Sequence, residues 1–123
     1  MSKTLLVVDD NEDMRSVLAY QLTARGYQVI MATNGQEGID KALAEKPDLI
    51  LLDILMPVMD GTEAAAQLKE DPRTKNIPIL FLTSLVQGEN VIRAEEAKDQ
   101  FTLPKSISME KLVYEIELAL SRK

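Results

Sequence analysis

A chain of 123 residues with 46% hydrophobic and 28% charged side chains is long enough for one packed domain and too apolar to be disordered. It contains no cysteine and no histidine, which excludes disulfides, thiolate chemistry, His-based triads, His-ligated zinc and a phosphohistidine of its own. The net charge of −6 opposes nonspecific DNA binding, and no apolar run approaches a membrane span or a secretory signal.

The expected setting is therefore cytoplasmic, with no membrane insertion and no direct nucleic-acid contact. Residues 4–9 (TLLVVD) read as a buried strand. A helical pattern follows with Met14, Val17, Leu18 and Leu22 on one face, and Gly26 stands where that helix should stop. Residues 28–32 (QVIMA) are a second short strand. Asn34 and Glu37 form a capping-box pair for a helix carrying Ile39, Ala42 and Leu43, with Pro47 after its end.

Residues 49–53 (LILLD) are the third strand, an apolar run that ends on an aspartate. The segment MPVMDG, residues 56–61, is a loop, and Asp60 with Glu63 caps a helix over 62–70 that Asp71-Pro72 ends. Residues 78–83 (PILFLT) are a fourth strand, with proline at its permitted first position. A weaker helix is expected over 90–98 and a short strand over 100–103. The last helix carries Met109, Leu112, Val113, Ile116 and Leu120, a stripe that reads as core.

Continuous apolar strands alternating with helices require a parallel sheet covered on both faces. Right-handed crossovers then favour a doubly wound, flavodoxin-like α/β fold: a five-stranded parallel sheet, five helices, and one domain over residues 1–123. In such sheets the carboxyl ends of the strands form the binding crevice.

Four polar signals fall at those ends: Asp9-Asp10, Asp53, Thr83-Ser84 and Lys105. Helix capping beside Asn11 accounts for Asp9 and Asp10 taken singly, and a strand-end acid accounts for Asp53. Neither explains why the acids share one edge. Three carboxylates about 5 Å apart repel by roughly 3 kcal/mol per pair at an effective dielectric of about 20. Lys105 offers one positive charge and a divalent cation the rest. Hard oxygen ligands without nitrogen or sulfur select Mg²⁺. A carboxylate is also a competent nucleophile toward phosphorus, whose oxygens a metal, an ammonium and the Thr83 hydroxyl could neutralise together.

The ordered set Asp9-Asp10, Asp53 within DILMPVMDG, Thr83-Ser84 and Lys105 resembles the receiver domain of two-component response regulators, over essentially the whole chain. The resemblance implies that Asp53 is the phosphoacceptor and Asp10 a direct Mg²⁺ ligand, with Asp9 supporting through water. The backbone carbonyl of Leu55 completes the protein's share of the metal shell. Thr83 and Lys105 each bind a phosphoryl oxygen, and Pro57 and Gly61 shape the loop after the acceptor.

It further implies a donor that is a histidine kinase or a histidine phosphotransfer protein. Nothing follows Lys123, so the expectation is a stand-alone switch acting on a downstream effector protein, through the fourth helix, fifth strand and last helix. Two positions depart from the family: Ser106 follows the lysine where proline is usual, and Thr102 stands where an aromatic is usual. Phe101 is one residue earlier, on the opposite strand face.

Two other readings compete. A Mg²⁺-dependent phosphohydrolase with an aspartyl nucleophile would need a second acid beside Asp53 and a cap, and Asp53 is followed by Ile54-Leu55. A degenerate receiver acting only as a binding module would not need the complete set of acids, threonine and lysine.

Overall fold

The computed structural model describes residues 2–54, 56, 58–83, 92–93 and 100–121. The strands are β1 (Thr4–Val8), β2 (Gln28–Ala32), β3 (Leu49–Leu52), β4 (Ile79–Thr83), β5 (Ile92–Arg93) and β6 (Gln100–Pro104). The helices are α1 (Glu12–Ala24), α2 (Gly35–Glu45), α3 (Gly61–Glu70) and α4 (Met109–Ser121). One sheet in the order β2-β1-β3-β4-β6-β5 contains five parallel strands, with β5 alone antiparallel at the edge. This is the flavodoxin-like arrangement expected.

Strand alternation separates the core into two layers. Leu5, Val7, Leu49, Leu51, Leu80, Leu82 and Leu103 face one side and pack with Leu18 and Leu22 of α1 and Leu112 and Ile116 of α4. Leu6, Val8, Ile50, Leu52, Ile79 and Phe81 face the other and meet Ile39 and Ala42 of α2 and Ala64, Ala65 and Leu68 of α3. A period of two buries both faces of β3, which is all apolar, and of β4, which is apolar up to Thr83. Each such leucine contributes roughly 1.5–3 kcal/mol of burial free energy.

The helix ends follow the residues that mark them. Gly26 (φ 95°) takes the left-handed conformation, and the Gly26 and Tyr27 amides donate to the carbonyls of Thr23 and Leu22. Asn34 caps α2 by accepting from the Glu37 amide, while the Glu37 carboxylate reaches the Thr33 amide, one residue before the cap. Asp60 caps α3 by accepting from the Glu63 amide and the Thr62 hydroxyl, which holds its carboxyl below the ordinary value.

Three expectations change. Among the described residues there are four helices, not five. Ile92 and Arg93, inside the helix expected over 90–98, instead pair with Thr102 and Phe101; the remainder of that segment lies outside the described residues. The apolar stripe there is the poorest in the chain, and the open edge of β6 offers unpaired backbone groups that a β-branched residue such as Ile92 can satisfy. Val17, expected on the buried face of α1, is 50% exposed. The inward stripe of α1 runs through Met14, Leu18 and Leu22, and Val17 lines a cleft of about 180 Å³ between α1 and α4. The stripe on α4 is core, as expected, with Met109, Val113 and Leu120 packed against it.

One close approach fixes how α3 joins the sheet. The Gly61 amide donates to the Ile54 carbonyl at 2.8 Å, and a Cβ on Gly61 would lie 2.1 Å from the Asp53 backbone oxygen. Gly61→Ala must therefore push α3 away from the end of β3. The expected cost is about 1–3 kcal/mol, read as a lower urea midpoint with an unchanged slope.

Candidate functional site

Backbone bonds that run one residue beyond the strands hold the polar groups at the carboxyl edge. The Asp9 amide donates to the Ala32 carbonyl at 3.1 Å, and the Asp53 amide to the Val8 carbonyl at 3.0 Å. The Lys105 amide donates to the Thr83 carbonyl, also at 3.0 Å. Each residue is thus still tied to a neighbouring strand, and none depends on a free loop for its position.

The side chains converge as that scaffold dictates. Carboxylate oxygens of Asp9, Asp10 and Asp53 lie within 4.8 Å of one another, with Asp9 and Asp53 buried and Asp10 exposed. The Lys105 ammonium bridges two of them, 3.1 Å from Asp9 Oδ2 and 3.0 Å from Asp53 Oδ2. Asp9 Oδ1 accepts from the Asn11 amide at 2.9 Å. Asp53 Oδ1 is buried and has no hydrogen-bond partner among the described residues. Thr83 is fully buried at the end of β4, and the pairing of Leu52 with Phe81 brings Asp53 and Thr83 out of adjacent strands at the same edge. Leu55, whose carbonyl was the last expected ligand, lies outside the described residues. So does Pro57.

The capping explanation for the acidic pair is taken by another residue. Asn11 is the cap of α1, its side chain accepting from the Met14 amide at 2.9 Å. Two contributors were not anticipated. The Asn11 amide fixes the Asp9 carboxylate, and the Arg15 guanidinium donates to the Asp9 carbonyl at 2.7 Å, placing a further cation one turn into α1. A basic residue on the first turns of a helix that begins beside two acids was the available signal for Arg15. The Asn11 contact comes from the main chain, which no side-chain pattern reveals.

Burial pushes the Asp53 carboxyl above its ordinary pKa; the Asp9 charge adds to this, while the bond from Lys105 opposes it. For Lys105, burial pushes the ammonium down, but its bonds to Asp53 and Asp9 more than reverse the effect and leave its pKa raised. The cluster is short of positive charge. A set of oxygen-only donors, with one buried oxygen lacking a partner among the described residues, fits a hard divalent cation.

The sequence profile of the response regulator receiver domain matches residues 5–117. The chain belongs to the response regulator receiver family. This receiver is 46% identical over 108 residues to the alkaline phosphatase synthesis transcriptional regulatory protein PhoP of Bacillus subtilis, covering 86% of the chain and 44% of PhoP. It is 36% identical over 122 residues to the phosphate regulon transcriptional regulatory protein PhoB of Pseudomonas aeruginosa, covering 99% of the chain and 53% of PhoB. The receiver thus spans about half the length of these two regulators.

Among solved structures, the response regulator TrrA of Thermotoga maritima, crystallised with Mg²⁺-BeF, superposes with a TM-score of 0.78 at 28% identity. That match covers 95% of this chain and 98% of TrrA. Receivers are signalling switches of two-component systems, and nothing at this site favours a hydrolase or a degenerate binding module. No helix among the described residues is long and apolar enough to cross a membrane.

The raised Asp53 pKa sets a direction for stability. The folded chain holds that proton more tightly than the unfolded chain, so the penalty for an ionised Asp53 is absent below the ordinary carboxylate pKa. It grows as pH rises through the folded value. Asp53→Asn keeps an acceptor for Lys105 and removes the charge. In metal-free buffer the variant should show a higher urea midpoint than wild type at pH 7, with the gap closing as pH falls through the carboxylate range.

Proposed function

We propose that this receiver is a phosphorylation switch in which Asp53 takes a phosphoryl group from a histidine kinase or a histidine phosphotransfer protein and thereby changes what the chain binds. The observation that carries the reading is the Asp53 carboxylate. It is buried at the strand edge, with one oxygen on Lys105 and the other without a partner among the described residues, within 4.8 Å of two further acids. A structural ion pair would satisfy both oxygens; a nucleophile awaiting a ligand would not.

In the reaction, a carboxylate oxygen of Asp53 attacks phosphorus and forms an acyl phosphate, while the bond from phosphorus to the donor imidazole breaks and its electrons return to the ring nitrogen. Lys105, already on Asp53, would pair with a phosphoryl oxygen as the group is transferred. The Thr83 hydroxyl would bond another, and its backbone link to Lys105 keeps the two in step. Asp10 would hold Mg²⁺ directly together with Asp53 and the Leu55 carbonyl, and Asp9 would act through water. Bound there, Mg²⁺ supplies the positive charge that the cluster lacks and neutralises phosphoryl oxygens. Support for the metal comes from the donor set itself and from the Mg²⁺-BeF complex of TrrA.

The chemistry is confined to the chain's own phosphorylation and dephosphorylation. We read residues 1–123 as the receiver domain and the setting as cytoplasmic, with output through an effector protein and without direct nucleic-acid contact or membrane insertion by this chain.

Intact-mass measurement after incubation with Mg²⁺ and acetyl phosphate tests the acceptor. Wild type should gain one phosphoryl group and Asp53→Asn none; a full-strength adduct on the variant would move the acceptor elsewhere. Millimolar Mg²⁺ should also raise the melting temperature of the unphosphorylated chain relative to EDTA, and Asp10→Ala should abolish that rise. Identical melting curves for wild type in Mg²⁺ and EDTA at low salt would defeat the metal assignment.

A further inference from the structure

The end of β1 carries a polar group that the sheet does not satisfy. The Asp9 amide makes the last rung to β2, on the Ala32 carbonyl, and β2 ends at that residue. The Asp9 carbonyl has no following β2 rung among the described residues, and partly buried there it needs a donor from elsewhere. The Arg15 guanidinium supplies it at 2.7 Å. Helical side chains tilt toward the N-terminus, so a long one placed a turn into α1 reaches back over the start of the helix. The Arg15 amide donates to the Asn11 carbonyl, which anchors the same residue in α1. Arg15 therefore clamps α1 onto the peptide between Asp9 and Asp10.

That peptide matters for one carboxylate more than for the other. Asp9 is buried and held through both oxygens, by the Asn11 amide and by Lys105. Asp10 is exposed, and the backbone that carries it brings its carboxylate into the group of three. The Asp9 carbonyl and the Asp10 amide belong to one planar unit, so a donor fixed on the first sets the orientation of the second. Residues that orient a metal ligand without touching the metal commonly change its affinity by about 10–100-fold.

Charge alone would act in the opposite direction. A guanidinium near the start of α1 lies at the positive end of the helix dipole, and it repels any cation that the acids collect. A favourable contribution from Arg15 to metal binding is thus geometric. We propose that Arg15 is a positioning residue for the metal site: by holding the Asp9 carbonyl it fixes the direction in which Asp10 presents its carboxylate to a divalent cation. It acts through Asp10 and is not itself a ligand. This rests on the reading of Asp10 as a direct Mg²⁺ ligand.

Two variants separate geometry from charge. Arg15→Met keeps the aliphatic stem and removes both the charge and the donor. Arg15→Lys keeps the charge and a donor, enough for one bond to one carbonyl. Mg²⁺ titrations of the whole chain, followed through backbone amide NMR signals, give each affinity. Arg15→Met should bind about tenfold more weakly than wild type, and Arg15→Lys within about threefold of it. Labelling by acetyl phosphate should slow in Arg15→Met at low Mg²⁺ and return to the wild-type rate at saturating Mg²⁺. In metal-free protein the Asp10 amide signal should move in Arg15→Met and keep its place in Arg15→Lys.

Mg²⁺ affinity in Arg15→Met equal to or tighter than wild type would overturn the proposal, leaving Arg15 as a repelling charge or a staple of the fold. So would Arg15→Lys binding as weakly as Arg15→Met, or an Asp10 amide unchanged in metal-free Arg15→Met. A wild type without any Mg²⁺-dependent shift at Asp10 would remove the metal assignment itself and the proposal with it, a failure distinct from one confined to the variants.

Discussion

The organisation of this receiver turns on one lysine held between two buried carboxylates. Lys105 lies 3.1 Å from Asp9 and 3.0 Å from Asp53, and a third acid, Asp10, completes the group within 4.8 Å. One ammonium does not neutralise three carboxylates. At an effective dielectric of about 20, each remaining like-charge contact costs roughly 3 kcal/mol, comparable to the burial of a large core side chain. The deficit is tolerable because the central strands β3 and β4 beside it are buried along their whole length. It also gives the site a standing affinity for positive charge.

The sheet does more than supply stability. Asp9, Asp53 and Lys105 each keep a backbone bond to an adjacent strand. Their side chains therefore project from rigid anchors, and the cost of ordering them is met when the chain folds, not when a ligand arrives. Gly61 extends the same principle to the loop, since its lack of a side chain lets α3 start against the backbone of Asp53 itself.

Much of this could be read from the sequence, for identifiable reasons. The strands were legible because central parallel strands bury both faces and so carry unbroken apolar runs. The helix ends were legible because Gly26, Asn34 and Asp60 each perform a local task that few other residues perform. The convergence of acids with a lysine followed from placing each at the end of a strand. What escaped notice depends on groups without a sequence signature. The bond from the Asn11 amide to Asp9 is made by main chain, and the antiparallel pairing of Ile92 and Arg93 is dictated by the open edge of β6 rather than by their own periodicity. Val17 misled because helical spacing gives a face but not its width.

Among the described residues the two apolar clusters have no member in common: one joins α1 and α4 to the sheet, the other joins α2 and α3. Among the described residues they are joined through strands whose successive side chains enter alternate layers. A volume change in one layer is thus insulated from side-chain packing in the other. Repacking beneath α2 and α3 would reach α1 and α4 chiefly by shifting a strand as a unit, and such a shift would carry with it whichever polar residue that strand ends on. The sheet is in this sense a partition between two packed layers, with its charged rim as the part that either layer can move.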